Sequence, residues 1–538
     1  MIKTLSLIFC SLSLWAAETR KFDVVVYGGT AGGAMSAVSA AREGLKVALL
    51  EPGRHIGGMV SGGLGFTDYG KKEVIGGMAL EFYVRAGNHY EIGRYGHRIA
   101  WLHEPHVAEK IFREMLAEAK VELFERSRLR EHGGVNKSNG RLASIVDESG
   151  NVYQADIFID CSYEGDVMAQ AGVTWTYGRE SQEQYGESLA GVRETTLLHQ
   201  FLVNVSPKDA GGKLLPEISD AKLPKPGSAD KAVQAYNYRM CFTDRPENRV
   251  DFAKPVNYRA ERYELLARLI EARQKAEGKA PSLSTLLKID PLPNGKADVN
   301  NQGAFSTDYI GASWTYPNAS YAEREKIWRE HKEYMQGLFY FLANDPKVPA
   351  DLRGQMNRWG LCKDEFTDTE NWPNQLYIRE ARRMVGDFVM AQKDLQTDLM
   401  KPNPIGMGSY NSDSHNVQRI VAADGFVRNE GDMQVAVKPY QIPYQVMTPK
   451  QAEAANLLVP VAFSASHVAY SSLRMEPQYM ILGQAAGVAA KMAIDGKTAV
   501  QQVDAAKLSK RLIQLGAVVN YAPSSELENI SRVARGSR

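Results

Sequence analysis

Two kinds of chemistry are visible in the residue types of this chain. The run Gly28-Gly29-Thr30-Ala31-Gly32-Gly33 follows the β-rich stretch from Phe22 to Tyr27 and opens a run of small residues from Ala34 to Arg42. Such a turn leaves free backbone N–H groups at a helix N-terminus, where the helix dipole also favours negative charge, so it suits a pyrophosphate. Far along the chain, His415 in Ser412-Asp413-Ser414-His415-Asn416 and His467 in Ser464-Ala465-Ser466-His467 can take a proton near neutral pH. Arg474 is a fixed cation able to neutralise an anionic ligand, or to pair with Glu476. Asp413 stands near enough in sequence to orient His415.

The elements that must position the turn lie around it. Lys46 to Leu50 reads as a second strand ending in Glu51, whose carboxylate can accept bonds from ribose hydroxyls, and the whole makes a βαβ unit. Gly28 supplies the tight turn and Gly33 the close contact of helix and strand. Thr30 stands where the G-x-G-x-x-G pattern has its middle glycine, with Gly29 and Gly32 beside it to relieve the crowding. A helix opens near Pro105, and Val121 to Phe124, Leu142 to Val146 and Val152 to Ile159 read as strands. The last is expected to return parallel to the first strand after a β-meander and to end in Asp160, followed by Gly165 and Asp166 at the nucleotide site.

Composition narrows the partners. With 538 residues, 44% hydrophobic, the chain can build a large core; 64 basic residues nearly cancel 63 acidic ones, which excludes a field that gathers nucleic acid or an anionic membrane. A small-molecule substrate is expected. Residues 1–17 combine Lys3, an apolar run from Leu5 to Trp15 and Ala16-Ala17, the pattern of a secretory signal, and no later run approaches the about 18 apolar residues of a membrane span. Export to the periplasm or the medium follows, of an unfolded chain because twin arginines are lacking. Cys161, Cys241 and Cys362 lack C-x-x-C spacing, which speaks against zinc or an iron–sulfur cluster and leaves room for one disulfide. His103 and His106 lie three apart without convincing further ligands, so no metal is expected.

Glu51-Pro52-Gly53-Arg54-His55-Ile56-Gly57-Gly58-Met59 resembles the adenine-side signature of FAD enzymes of the glutathione-reductase type. Segments 373–389, 410–419, 440–477 and 480–493 resemble a bacterial family of FAD-dependent oxidoreductases, some of them associated with polysaccharide breakdown. The resemblance implies FAD as cofactor, bound by the turn, Glu51, Gly57, Gly58 and Met59. It also implies a helix from Met480 to Met492 whose N-terminus faces the flavin, with Gly483 and Gln484 in its shell. His55, beside the paired glycines, is a candidate for covalent attachment. The expected architecture is α/β: a Rossmann-like FAD-binding domain, with parallel sheet and β-meander, in two parts (22–194 and 371–520), an inserted α+β substrate or cap domain (195–370) and a tail (521–538). The implied activity is hydride transfer from a small molecule, a sugar-derived alcohol by the family association, with His415 or His467 as base and an unidentified electron acceptor. An FAD-using lyase or isomerase and a non-catalytic binding module remain as alternatives.

Overall fold

The computed structural model describes residues 17–523. The expected export signal falls outside them except for Ala17, as does the tail from residue 524.

The first strand, β1 (Thr19–Tyr27), runs into α1 (Ala31–Arg42) and β2 (Val47–Leu50). Val24, Val25 and Val26 are fully buried because the sheet is covered on both faces, the setting in which a parallel strand reads as an unbroken apolar run. Then come α2 (Gly77–His89), α3 (Pro105–Glu118) and β3 (Glu122–Phe124), followed by β4 (Val135–Ser138), β5 (Arg141–Val146) and β6 (Val152–Asp160). The sheet order is β3-β2-β1-β6-β5-β4. The first four strands are parallel and the last three form an antiparallel meander. The sequence reading missed β4, whose residues Val135-Asn136-Lys137-Ser138 are mostly exposed and carry little apolar alternation.

After α4 (Asp166–Gln170) the chain leaves the parallel sheet and builds a second, antiparallel one. Its strands are β7 (Met240–Thr243), β8 (Arg249–Val250), β9 (Leu287–Leu292), β10 (Lys296–Asn301) and β11 (Gly360–Cys362), in the order β9-β10-β7-β11-β8. Two helices accompany it, α5 (Glu264–Glu277) and α6 (Tyr321–Asn344). Ser320 and Glu323 close a capping box at the start of α6, satisfying backbone donors that the helix itself cannot. Cys241 and Cys362 lie opposite each other in β7 and β11, both as free thiols, with their sulfurs 3.6 Å apart.

The return is made by β12 (Ser412–Ser414), β13 (Met433–Val435), β14 (Leu457–Leu458), α7 (His467–Leu473) and α8 (Glu476–Gly496). β14 pairs in parallel with the end of β6. α8 begins four residues before the expected Met480, because Pro477 in its first turn is preset for helix and needs no N–H partner. Helix α8 crosses α1 at bare backbone. A Cβ on Gly483 would overlap the Gly32 carbonyl, one on Gly487 would come within 2.6 Å of the Ala40 nitrogen, and Ser39 donates to the Gln484 carbonyl at 2.8 Å. No helix among the described residues is long and apolar enough to cross a membrane.

Candidate functional site

The C-terminal ends of β1, β2 and β6 bring Gly28, Glu51 and Ser162 to one edge of the parallel sheet, where such sheets bind nucleotides. Gly28 takes φ +92°, and a Cβ on Gly33 would overlap the Gly28 carbonyl. Thr30 is no obstacle. Its hydroxyl caps α1 by accepting from Gly33 N at 3.1 Å and donates to the Cys161 carbonyl at 2.9 Å, so the β-branched residue is turned to use as an N-cap. Ala31 and Gly32 form the first turn of α1. Glu51 accepts from Gly29 N at 2.8 Å and from Gly53 N at 2.5 Å; burial pushes its carboxyl up to about 7 against those two bonds.

A groove of about 220 Å³ runs past Gly28, Thr30, Glu51 and Gly58, with Tyr163, Glu164, Trp328, Asn374 and Gln375 as further walls. It adjoins a cavity of about 320 Å³ that includes Tyr27, Asp166 and Tyr316. Gly57 and Gly58 take φ +111° and +55°, and a Cβ on either would strike Phe112 or Tyr163. Met59 N donates to the Tyr163 hydroxyl at 2.9 Å. Asp160 accepts from Ser162 and from Met168 N at 2.8 Å, which ties the end of β6 to α4, and burial raises it to about 6. Gly165, at φ +65°, caps α4, and Asp166 pairs with Arg324 at 2.8 Å and Arg382 at 2.6 Å. Of the two, Asp166 lines the adjoining cavity.

Gly483 and Gln484, expected in the flavin shell, both make close packing contacts near the start of α1 and α2. Gly483 sits in the α1–α8 crossing, and the Gln484 side chain accepts from Met78 N at 2.9 Å at the start of α2. The need met by both is close helix packing. His55 is held between Glu109 at 3.0 Å and Asp368 at 3.1 Å. His106 accompanies Glu104 and Glu365 in a group of metal-ligand type, but the Lys296 ammonium sits among them, 2.8 Å from Glu104 and 2.6 Å from Glu365. His103 is fully buried and pushed down to about 4 by that burial.

The run from Asn374 carries the groove wall into a buried polar cluster. Three residues on from Asn374, the Tyr377 hydroxyl accepts from Arg474 Nη1 at 3.0 Å, and the Arg379 guanidinium lies 4.7 Å from the centre of its ring. Arg474 also donates to the Asp413 carbonyl at 2.7 Å rather than pairing with Glu476, whose carboxyl accepts from Tyr163 at 2.7 Å. Arg239 grips Asp298 with two bonds, at 2.8 and 2.6 Å, and stands 4.0 Å from Asp68, which accepts from Tyr410 at 3.1 Å. Arg379 lies 3.0 Å from Asp308.

Asp308 also contacts His415 Nδ1 at 2.7 Å. Burial alone would raise Asp308, but Arg379 and His415 outweigh it and hold the carboxyl near about 2. His415, 9% exposed, is pushed below its ordinary value, by burial first and by Arg379 second. It is therefore neutral at pH 7, and an ionised Asp308 fixes the proton on Nδ1 and leaves Nε2 as acceptor. Asp413 is not the orienting group. Its carboxylate is 3.8 Å from Nε2, while Asp308, more than a hundred residues earlier in the chain, takes Nδ1. His467 contacts Glu380 at 2.7 Å through Nδ1 and starts α7 within a buried network that includes Arg383 and Glu180; burial drives it down to about 3. Gln234 joins the two regions, donating to Glu380 at 3.1 Å and accepting from His415 N at 3.1 Å.

A glycine cradle at the strand ends, an acidic residue after β2 and a groove with the buried, unpartnered Asn374 Oδ1 fit a dinucleotide cofactor, and with the meander they define a flavoprotein of the Rossmann-like α/β class. A family model described as FAD dependent oxidoreductase matches residues 23–512, and the chain belongs to that family. It is an FAD-dependent oxidoreductase with FAD as its cofactor. No curated protein matches it significantly.

Solved structures resemble it loosely. An anhydrotetracycline hydroxylase, OxyS, from Streptomyces rimosus is 12% identical over 34% of this chain and 42% of its own, with a TM-score of 0.22. THI4 from Thermovibrio ammonificans is 19% identical over 30% of this chain and 67% of its own, at 0.21. A geranylgeranyl bacteriochlorophyll reductase-like protein from Thermoplasma acidophilum is 12% identical over 95% and 96%, at 0.33. The match thus spans less than half of the first and about two thirds of the second.

Proposed function

We propose that the protein oxidises an alcohol carbon of a polyhydroxylated, sugar-derived small molecule outside the cytoplasm. The observation that carries this reading is the Asp308–His415 pair beside a buried network in which Arg239, Arg379 and Arg474 meet Asp68, Asp298, Asp308 and Asp413. Donors and acceptors of both signs, close to charge balance, suit neutral hydroxyl groups better than a strongly ionic ligand. When bound, FAD supplies the acceptor, its N5, for the hydride that leaves the alcohol carbon. His415 Nε2 takes the hydroxyl proton, and the ionised Asp308 stabilises the imidazolium that results. Arg474 and the Tyr377 hydroxyl hold the oxygen side of the substrate, while the buried walls exclude water. The basic, apolar and small-residue order of residues 1–17 supports an extracytoplasmic setting.

The mature chain, loaded with FAD and titrated anaerobically with monosaccharides, polyols and glycosides, tests this. Bleaching of the flavin band by one class supports the reading and names the substrate. Turnover of a sugar without any electron acceptor would replace it with elimination or isomerisation, and failure of every saccharide and polyol to bleach the flavin would overturn it.

A further inference from the structure

His199 lies outside the nucleotide turn and the His415 and His467 segments, yet its backbone is held in an unusual state. Its φ is +47°, a left-handed conformation that residues other than glycine rarely adopt and that persists where surroundings enforce it. The enforcement is explicit. The side-chain amides of Asn416 and Asn429 both donate to the His199 carbonyl, at 3.2 and 2.8 Å. Asn429 also donates to the Ala304 carbonyl at 2.8 Å. One clamp thus fastens His199 to the residue after His415 and to the segment that leads into Asp308.

The imidazole itself is poised. Its Nδ1 is buried without a hydrogen-bond partner among the described residues. Burial lowers the ring's proton affinity, while the carboxylates of Asp308 and Asp413 act in the other direction, with Arg379 and Lys288 as weaker opponents. The two carboxylates that flank His415 therefore also act on His199. A strained backbone, a double amide clamp and an unsatisfied buried nitrogen beside a catalytic pair are hard to explain by packing, since a glycine or asparagine at this position would be more comfortable.

We infer that His199 is a second substrate-contacting imidazole, which receives or donates a hydrogen bond at a hydroxyl neighbouring the one deprotonated by His415 and so selects among polyols. This rests on the functional reading above. It requires that the ring be dispensable for folding and FAD binding and necessary for substrate binding.

The test uses the full FAD-loaded enzyme with the best polyol from the anaerobic panel, comparing wild type with His199→Asn and His199→Gly, both of which tolerate a left-handed backbone. Leu197→Ala, at an 82% exposed position of the same segment, serves as control. The expected result is unchanged FAD content, a melting temperature equal to or above wild type, and KM raised about 10-fold with kcat within about threefold, the signature of one lost hydrogen bond to substrate. Leu197→Ala should match wild type. Unchanged KM in both His199 variants overturns the inference, as does loss of FAD or of thermal stability in both, which would mark the ring as structural. A wild type that no polyol reduces brings down the functional reading itself, whereas a normally reduced wild type matched by both His199 variants brings down the inference alone.

Discussion

His415 can act as a base because its surroundings keep it neutral and its partner keeps its proton on one nitrogen. Replacing it with Asn should lower kcat about 10²- to 10⁴-fold while FAD remains bound. Asp308→Asn should cause a comparable loss by releasing the tautomer, and Asp413→Asn a much smaller one, since Asp413 lies 3.8 Å from Nε2; steady-state kinetics on the three variants checks the order. With burial and Arg379 both lowering His415, the acid limb of kcat/KM should fall below pH 6.5, the ordinary histidine value; a limb at pH 7 or above would contradict the assignment. Glu476 makes an opposite case. Burial pushes it up to about 8, so the folded state keeps a proton that the unfolded chain gives up near 4.5. Stability from this group is intact below about 4.5 and is lost as pH rises through about 8. Glu476→Gln should therefore gain in melting temperature relative to wild type between pH 5 and 8.5, read by calorimetry.

At the scale of elements, the α1–α8 crossing is the sensitive joint. A methyl at Gly483 meets the Gly32 carbonyl, a backbone atom that cannot swing aside, so Gly483→Ala should cost about 1–3 kcal/mol in denaturant unfolding and weaken FAD retention with it. The same joint explains what the residues disclosed and what they hid. The βαβ unit was legible because Val24 to Val26, the glycine turn, the small-residue helix and the strand ending at Glu51 follow one another within one short stretch, and local periodicity decides them. The small-residue run of α8 was equally plain, but it says only that something approaches closely. The structure shows that the approach includes α1, at Gly32 and Ala40. Half of the candidate site could not be read at all. Asp308, Arg239 and Asp298 lie more than a hundred residues from His415, and nothing in Ser306-Thr307-Asp308 marks the last as a partner. Sequence proximity pointed to Asp413 instead, which lies 3.8 Å from Nε2, whereas Asp308 contacts Nδ1 at 2.7 Å. A signal did exist in Arg379, Arg382 and Arg383, three arginines in one short stretch that holds a single carboxylate, Glu380. Buried arginines in such company imply carboxylates brought from elsewhere.

For the whole molecule, the order of synthesis and the order of completion differ. β6 receives its last parallel neighbour from residues 457–458, and α1 receives its covering helix from residues 476–496, so the nucleotide half is assembled from the two ends of the chain. An emerging polypeptide truncated before residue 455 leaves one strand edge unpaired and one apolar helix face bare. Such a fragment has every glycine of the phosphate turn and still lacks the wall against which that turn is braced. Loop closure over more than four hundred residues must precede maturation, which favours slow acquisition of the native state through a partly formed intermediate and exposes the nascent half to self-association while it waits. The protein is thus a clasp whose two ends must meet before either can hold anything.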